Sequence, residues 1–398
     1  METRNRTPLT IGMFLGVRPR NGGMFQYAQS VVEALTRLPP ADFRFEFAYV
    51  DVAWIPILAR LNVSGRPVRC GVTGMRFAEM AMLAGLPCRA ARKFGRWLNP
   101  LARNLSALNC DYWIFPAQDA MSYQFEGKSI GTIHDLMHRY ERSFPEVGSW
   151  LRYRTREHRF RGIAEGCIAI LVDSDLGRRH VMDCYGTSGG KIHVLPYVHP
   201  GYLRTSSTRV DFDVHYSLPA KFLYYPAQFW PHKNHKTLFD AIGIVASFHP
   251  DIALVLTGAK RHAFEDVRAA TAASGVSERV CFVGHVPDSD IRGFYERARA
   301  LVMPTFFGPT NIPPLEAHAL GCPVLVSDVY AMRDQLGDAA LYFNPASAED
   351  MADKIRSIWA DDRLAKRLSL MGLARTDSHG QDQFDRRVSD ILKQITGR

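Results

Sequence analysis

Short apolar runs recur along the chain, each closed by glycine, proline or a polar cluster. Residues 10–16 (TIGMFLG) predict a first strand. It leads through Arg18-Pro19-Arg20-Asn21-Gly22-Gly23 into a helix over about 24–38. Residues 43–51 predict a second strand. Residues 111–116 (DYWIFP), 129–134 (SIGTIH), 168–172 and 192–195 predict four more, with a helix between the last two. Runs this short and apolar suit strands buried on both faces, and their alternation with helical stretches predicts an α/β domain over 1–197. The pattern then breaks. His199-Pro200-Gly201, a Ser/Thr cluster at 205–208 and alternating charges read as a linker over 198–221. A second series follows, with strands at 222–226, 252–257, 280–283, 300–303, 324–326 and 341–343. Helices are expected over about 235–248, 347–360, 362–374 and 381–396. Residues 222–378 thus form a second α/β domain, and 379–398 a C-terminal helix packing back toward the first.

The stretch 308–325 (GPTNIPPLEAHALGCPVL) sits between two of these runs. Pro313 and Pro314 suit a first helical turn, where a missing N–H costs nothing. Gly321 suits the position past the helix end, and Pro323 blocks continuation. The result is a βαβ unit whose loop lies at the carboxyl end of a parallel strand, where ligands bind. The helix start favours an anion such as phosphate. Glu316 is the first-turn carboxylate, and Thr310 and Asn311 add polar groups before it. A capped structural helix explains the same residues.

Composition narrows the partners. At 398 residues the chain exceeds one typical core. Its net charge of +9 favours anionic partners, although a basic excess also serves solubility alone. Within a helical pattern over 74–108, Arg89, Arg92, Lys93, Arg96 and Arg103 alternate with Leu86, Phe94, Trp97, Leu98 and Leu101. That suits an anionic membrane surface met through 86–103, or an ordinary amphipathic helix with basic stems lying over apolar ground. Seven scattered cysteines show no CxxC and no zinc spacing. Three Asp-x-Asp triplets, at 173–175, 211–213 and 288–290, read as caps or turns. Neither a metal nor a resident cofactor is expected. Residues 1–10 lack the apolar core of a leader, and no run of about eighteen apolar residues occurs, so a cytoplasmic chain is expected, peripheral on the inner membrane face. The basic residues gather around no recognition motif, so nucleic acid is not an expected partner.

Three stretches carry a resemblance. GTIHDLMHRY at 131–140, YYPAQFWPHKNHKTLFDA at 224–241 and PPLEAHALGCPVLVSD at 313–328 resemble, in this order, the retaining glycosyltransferases of family four. The resemblance implies the GT-B fold, an α/β architecture of two facing Rossmann-like domains with a donor cleft between them. It implies catalytic roles for His134, beside the transferring sugar, for Lys233, at the donor diphosphate, and for Glu316, at the ribose hydroxyls. Val283, Gly284 and His285 would line the nucleobase, and Gly258 would let the sugar donor lie against a strand end. Gly22, Gly23, Pro309, Thr310, Asn311, Ile312 and Leu315 complete the donor face. Asp135, His138 and Arg139 fall on the acceptor side. Two positions depart from the family pattern. Gln228 stands where an arginine precedes the lysine by five residues, and Gly308 stands where the first of two glutamates falls.

The implied reaction moves a hexosyl group, first mannosyl from GDP-mannose, with UDP- and dTDP-sugars as other donors. The acceptor is a glycan or lipid-linked glycan in cell-surface polysaccharide or O-antigen synthesis. Charge developing on the leaving diphosphate would meet Lys233 and the amide groups of 309–316. The departures at Gln228 and Gly308 leave open a non-catalytic GT-B binding subunit, and another GT-B enzyme such as a sugar-nucleotide epimerase is a third reading.

Overall fold

The computed structural model describes residues 7–69, 80, 83–204, 211–261, 263–378 and 380–398. The chain divides into two compact units. The first is Met1–Arg142 with Val147–Val198 and Gln381–Arg398; the second is Ser143–Glu146 with His199–Gly380.

The first unit holds a seven-stranded sheet of β1 (Leu9–Leu15), β2 (Phe43–Tyr49), β3 (Gly65–Pro67), β4 (Tyr112–Ile114), β5 (Ser129–Thr132), β6 (Ala169–Val172) and β7 (Ile192–Val194). Their order is β3-β2-β1-β4-β5-β6-β7. The second unit holds β8 (Leu223–Pro226), β9 (Leu254–Thr257), β10 (Val280–Gly284), β11 (Ala300–Met303), β12 (Val324–Ser327) and β13 (Ala340–Phe343), ordered β10-β9-β8-β11-β12-β13. Every pairing is parallel. Parallel neighbours need a crossover, and crossover helices cover both faces of the sheet. All four residues of β6, β9, β11 and β12 are accordingly buried.

In both sheets the order reverses beside the first strand, between β1 and β4 and between β8 and β11. Crossovers leave toward opposite faces at such a point, so the loops there part and open a crevice at the carboxyl ends. The loop after β1 carries Gly22 and Gly23. The loop after β8 carries Gln228 and Lys233, and the loop after β11 carries Gly308–Asn311. Folding alone therefore brings Gly22 and Gly23 to the reversal of the first sheet, and Gln228, Lys233 and Gly308–Asn311 to that of the second.

The helix Gln381–Thr396 belongs to the first unit. Phe384, Val388, Ile391 and Leu392 fall on one helical face and join a core with Ile11, Val31 and Leu195. Arg37 Nη1 donates to Asp385 at 2.8 Å, and Arg387 Nε to the Val194 carbonyl at 3.0 Å.

Several features differ from the sequence expectation. Strand β3 reads Gly-Arg-Pro, without an apolar run, and forms by pairing with Phe47–Tyr49 of β2. The helix Trp54–Arg60 is held by its first residue, whose indole donates to the Val17 carbonyl at 2.9 Å. The long helical pattern is broken into Cys88–Leu98 and Pro100–Ser106. Asn99 separates them, its side chain accepting from Leu101 N at 3.0 Å ahead of the second helix. The part of that pattern at 74–79 and 81–82, and the Ser/Thr cluster at 205–208, lie outside the described residues. Residues 199–204, read as linker, fall with the second unit, together with Ser143–Glu146.

Truncating Leu392, which is 2 % exposed, leaves a cavity under the C-terminal helix. Leu392→Ala should cost about 2–5 kcal/mol in urea unfolding, against less than about 0.5 kcal/mol for the 58 % exposed Leu370.

Candidate functional site

In the second unit the loop after β8 turns sharply. Asn234 takes a left-handed conformation at φ 58° and donates through its buried side chain to the carbonyls of Pro304 (3.0 Å) and Pro345 (2.7 Å). The His232 carbonyl accepts from Phe306 N at 2.9 Å and Thr305 Oγ1 at 3.2 Å. These bonds lock the loops after β8 and β11 together. Lys233 is fixed by its backbone: its N–H donates to the Trp230 carbonyl at 3.0 Å, and Tyr225 donates to its carbonyl at 3.0 Å. Glu146, from the short segment 143–146, accepts from His232 N (3.3 Å) and Nδ1 (2.8 Å). Burial opposes its ionisation, but the His232 bonds prevail and hold the carboxyl below its usual range. Phe144 of the same segment meets the rings of His232 and Phe306. Sequence reasoning missed this segment, which is eighty-six positions from its partner and bears no motif.

The strand ends beside it present bare backbone. Gly258 has φ 149°, and a Cβ there would lie 2.1 Å from the Ala227 carbonyl oxygen. Its N–H donates to the Gly284 carbonyl at 2.8 Å. Gly284 has φ 86°, with open space where a Cβ would point. Val283 is half-buried and His285 exposed. Gln228 Oε1 accepts from two donors, Trp230 Nε1 and Arg261 Nε, each at 3.0 Å.

The loop after β11 is shaped by Gly308. Its φ is 145°, and a Cβ would lie 2.5 Å from Asn311 Nδ2, so any side chain here is strained in this conformation. Gln335 clamps Asn311, accepting from its N–H at 3.0 Å and donating to its carbonyl at 2.7 Å. Pro309 is held through its carbonyl by Ala331 N at 3.1 Å. The helix Ile312–Ala319 then starts with prolines in its first turn and no side-chain cap. Ile312 is buried, and Thr310 and Leu315 are half-buried.

Glu316 is 5 % exposed. Its two oxygens accept from two phenols, Tyr202 on Oε1 and Tyr295 on Oε2, the latter at 2.7 Å. Burial pushes the carboxyl above its usual range, and the tyrosine bonds only partly offset this. Tyr202 stands in the turn Gly201–Arg204, which the sequence reading assigned to the linker.

In the first unit, Gly22 at φ 58° begins the helix Gly23–Thr36, its carbonyl accepting from Phe25 N at 2.8 Å. His134 follows β5 and is buried. Its Nε2 lies 3.0 Å from the Pro116 carbonyl, which can only accept, so Nε2 carries the proton. Nδ1 then accepts from Tyr197 at 2.9 Å. Burial holds the ring neutral, its pKa down to about 4. Tyr27 meets it edge-on at 4.9 Å. Asp135 caps the next turn, accepting from Met137 N at 2.9 Å and Gln118 at 3.2 Å. His138 and Arg139 are both engaged by Glu157: His138 Nε2 at 3.1 Å, Arg139 Nε at 2.8 Å and Nη2 at 2.5 Å.

The Asp-x-Asp triplets serve one helix start and two contacts between distant positions. Ser174 Oγ accepts from Gly177 N at a helix start, Asp213 pairs with Arg297, and buried Asp290 accepts from Tyr216. Among the described residues, no three His, Cys, Asp or Glu side chains gather as a metal set. The second unit therefore brings together Gln228, Lys233, Gly258, Val283, Gly284, His285, the 308–312 loop and Glu316 at one sheet edge. The first unit holds His134, Asp135, His138, Arg139, Gly22 and Gly23.

Comparison with known proteins shows what the chain is similar to. Residues 212–372 match the family model described as Glycosyl transferases group 1. Each unit is a parallel-sheet Rossmann-like layer structure, and the fold is GT-B. The structure is similar to sucrose-phosphate synthase from Thermosynechococcus elongatus, with TM-score 0.73, 17 % identity and 98 % and 99 % of the two chains covered. It is similar to Anabaena HepE in complex with UDP and glucose, with TM-score 0.74, 14 % identity and 97 % and 99 % covered. In sequence, 94 residues are 33 % identical to O-antigen chain mannosyltransferase B of Escherichia coli, covering 24 % of this chain and 25 % of that protein. Over 299 residues the chain is 22 % identical to mannosylfructose-phosphate synthase of Agrobacterium fabrum, covering 69 % and 65 %. The matches thus span a quarter to two thirds of these relatives.

The Glu157 cluster sets a pH dependence. Burial opposes its ionisation, but bonds from His138 and Arg139 lower the carboxyl from the usual 4.5 to about 2. Its contribution is present above about 4.5 and is lost as pH falls toward about 2. Glu157→Gln should lower the melting temperature by a few degrees at neutral pH. That gap should shrink across this acid range when both proteins are melted side by side.

Proposed function

We propose that this chain is a retaining hexosyltransferase. It moves a sugar, mannosyl first, from a nucleotide diphosphate sugar, GDP-mannose first, to a glycan or lipid-linked glycan in O-antigen or other cell-surface polysaccharide synthesis. The observation that carries this is the second unit's sheet edge at the β8–β11 reversal. Lys233, the bare backbone of Gly258 and Gly284 and the uncapped start of Ile312–Ala319 gather there, inside the region matching the glycosyltransferase family. The mannosyltransferase relative supports the sugar, and the UDP complex of HepE supports a nucleotide ligand.

The chemistry follows from the charges. Departure of a diphosphate from an anomeric carbon builds negative charge on the leaving group. A lysine and fixed N–H groups aimed at that charge lower the barrier. Neither metal nor resident cofactor has a role in this account. Glu316 accepts from two hydroxyls, the chemistry that holding a ribose requires. Tyr202 occupies one of its oxygens, so a ribose hydroxyl takes that place only when the phenol leaves it. This occupancy also favours a second reading, a non-catalytic binding subunit.

Adding GDP or UDP to the purified protein should raise its melting temperature, by an amount set by ligand concentration over Kd. Lys233→Ala should remove most of that shift, and a chelator should leave it unchanged. The absence of any shift in the wild type would sink the nucleotide reading. A shift without transfer or slow hydrolysis of a sugar donor would favour the binding subunit.

We also propose a membrane contact, which keeps the chain on the inner membrane face near its acceptor. Arg92 does not serve it: Nε donates to the Tyr123 carbonyl at 3.1 Å and Nη2 to that of Gly166. The outward face of Cys88–Leu98 carries Arg89, Lys93, Phe94 and Trp97, the last two 48 % and 74 % exposed. Apolar rings beside cations suit an anionic lipid surface. No described helix is long and apolar enough to cross a membrane. Flotation with anionic vesicles should weaken severalfold in Lys93→Gln/Trp97→Ser, and unchanged flotation would refute the contact.

A further inference from the structure

The proposed leaving group carries more charge than one lysine neutralises, and the position five residues before Lys233 holds the neutral Gln228. The β9 side of the same sheet edge supplies a cation. Arg261 lies three residues beyond Gly258, in the loop leaving β9. That loop starts hard against the end of β8, because Gly258 has no side chain to hold it off the Ala227 carbonyl. The approach brings the Arg261 guanidinium to Gln228, whose Oε1 accepts from its Nε at 3.0 Å. The same oxygen accepts from the Trp230 indole, and the guanidinium lies over that indole at 5.7 Å. A polar anchor and an aromatic face thus orient one planar cation, in an arrangement that suits arginine and not lysine. The neighbouring cation, Lys260, is set over the Phe264 ring instead, at 4.6 Å.

Gln228 holds Arg261 by Nε, on the stem side of the guanidinium. A planar guanidinium carries the fork geometry that matches a phosphate. Lys233 hangs from the same loop as Gln228 and Trp230, its N–H bonded to the Trp230 carbonyl.

We propose that Arg261 is the second cation of the diphosphate site, with Gln228 and Trp230 as its positioning residues. This rests on the nucleotide reading above. The positive charge enters from the β9 loop and not from position 228, and Gln228 acts through the guanidinium it holds.

The test is calorimetric titration of the full chain with GDP and UDP, with guanosine and uridine as phosphate-free controls. Arg261→Gln should weaken diphosphate binding about tenfold to a hundredfold, the range for a lost charge-assisted bond, and leave the nucleosides unaffected. Moving the arginine back, in R261Q/Q228R, should recover most of the loss. Arg261→Lys keeps stem and charge but lacks the fork. It should show an intermediate loss, and it keeps the test open if Arg261→Gln folds poorly. Wild-type affinity in both Arg261 variants, or equal losses for nucleoside and diphosphate, would overturn the assignment while leaving the nucleotide reading intact. Failure of the wild type to bind either diphosphate would overturn both.

Discussion

One carbonyl ties the second unit's site together. The His232 oxygen accepts from Phe306 N and Thr305 Oγ1, joining the loops that leave β8 and β11. Those strands are neighbours in the sheet but are separated in sequence by β9 and β10, and the chain parts between them. The bond fixes the Lys233 turn against the start of the loop that carries Gly308. With it, Asn234 pins the same junction to Pro304 and Pro345, and Glu146 holds the His232 ring from the other side. A lysine acts on developing charge only if its backbone is already in place, because reorganising it during the reaction forfeits the electrostatic gain.

Around that junction, small residues and buried acceptors divide the labour. Gly258, Gly284 and Gly308 adopt positive φ and bring main-chain groups to the edge. A side chain at Gly258 or Gly308 would collide with its neighbours. Glu316 is the reverse case, a carboxylate deep enough that burial raises its pKa, kept in place by two phenols. The first unit treats its candidate residues in the same way. His134 is a neutral ring with both nitrogens bonded, and the side chains of His138 and Arg139 are gathered on Glu157.

Much of the fold was legible because buried parallel strands leave a simple trace. A strand covered on both faces must be apolar throughout, and β9, β11 and β12 are such runs, closed by glycine, proline or a polar residue. The C-terminal helix was legible from its 3.6-residue period. Strand β3 was not, since Gly65, Arg66 and Pro67 carry no pattern and extend only because β2 offers an open edge. The break at Asn99 was hidden in a pattern that continues across it. Of the site, Lys233, Gly258, Gly284 and Glu316 were legible because each lies in a short local motif at a strand end. Glu146, Tyr202 and Arg261 were not, because they meet their partners across 86, 114 and 33 positions.

The sequence by itself determined two parallel α/β units and the strands whose loops bear the chemistry, because periodicity and turn residues act over a few neighbouring positions. The tertiary structure decided which side chains meet at those loops. It put Tyr202 on Glu316, Glu146 on His232 and Arg261 on Gln228, and it set Gly308 in a backbone conformation that strains any side chain. The reason is physical: hydrogen bonds and close backbone approach depend on distance in space. In a parallel sheet, the strands that are neighbours at the reversal are remote along the chain.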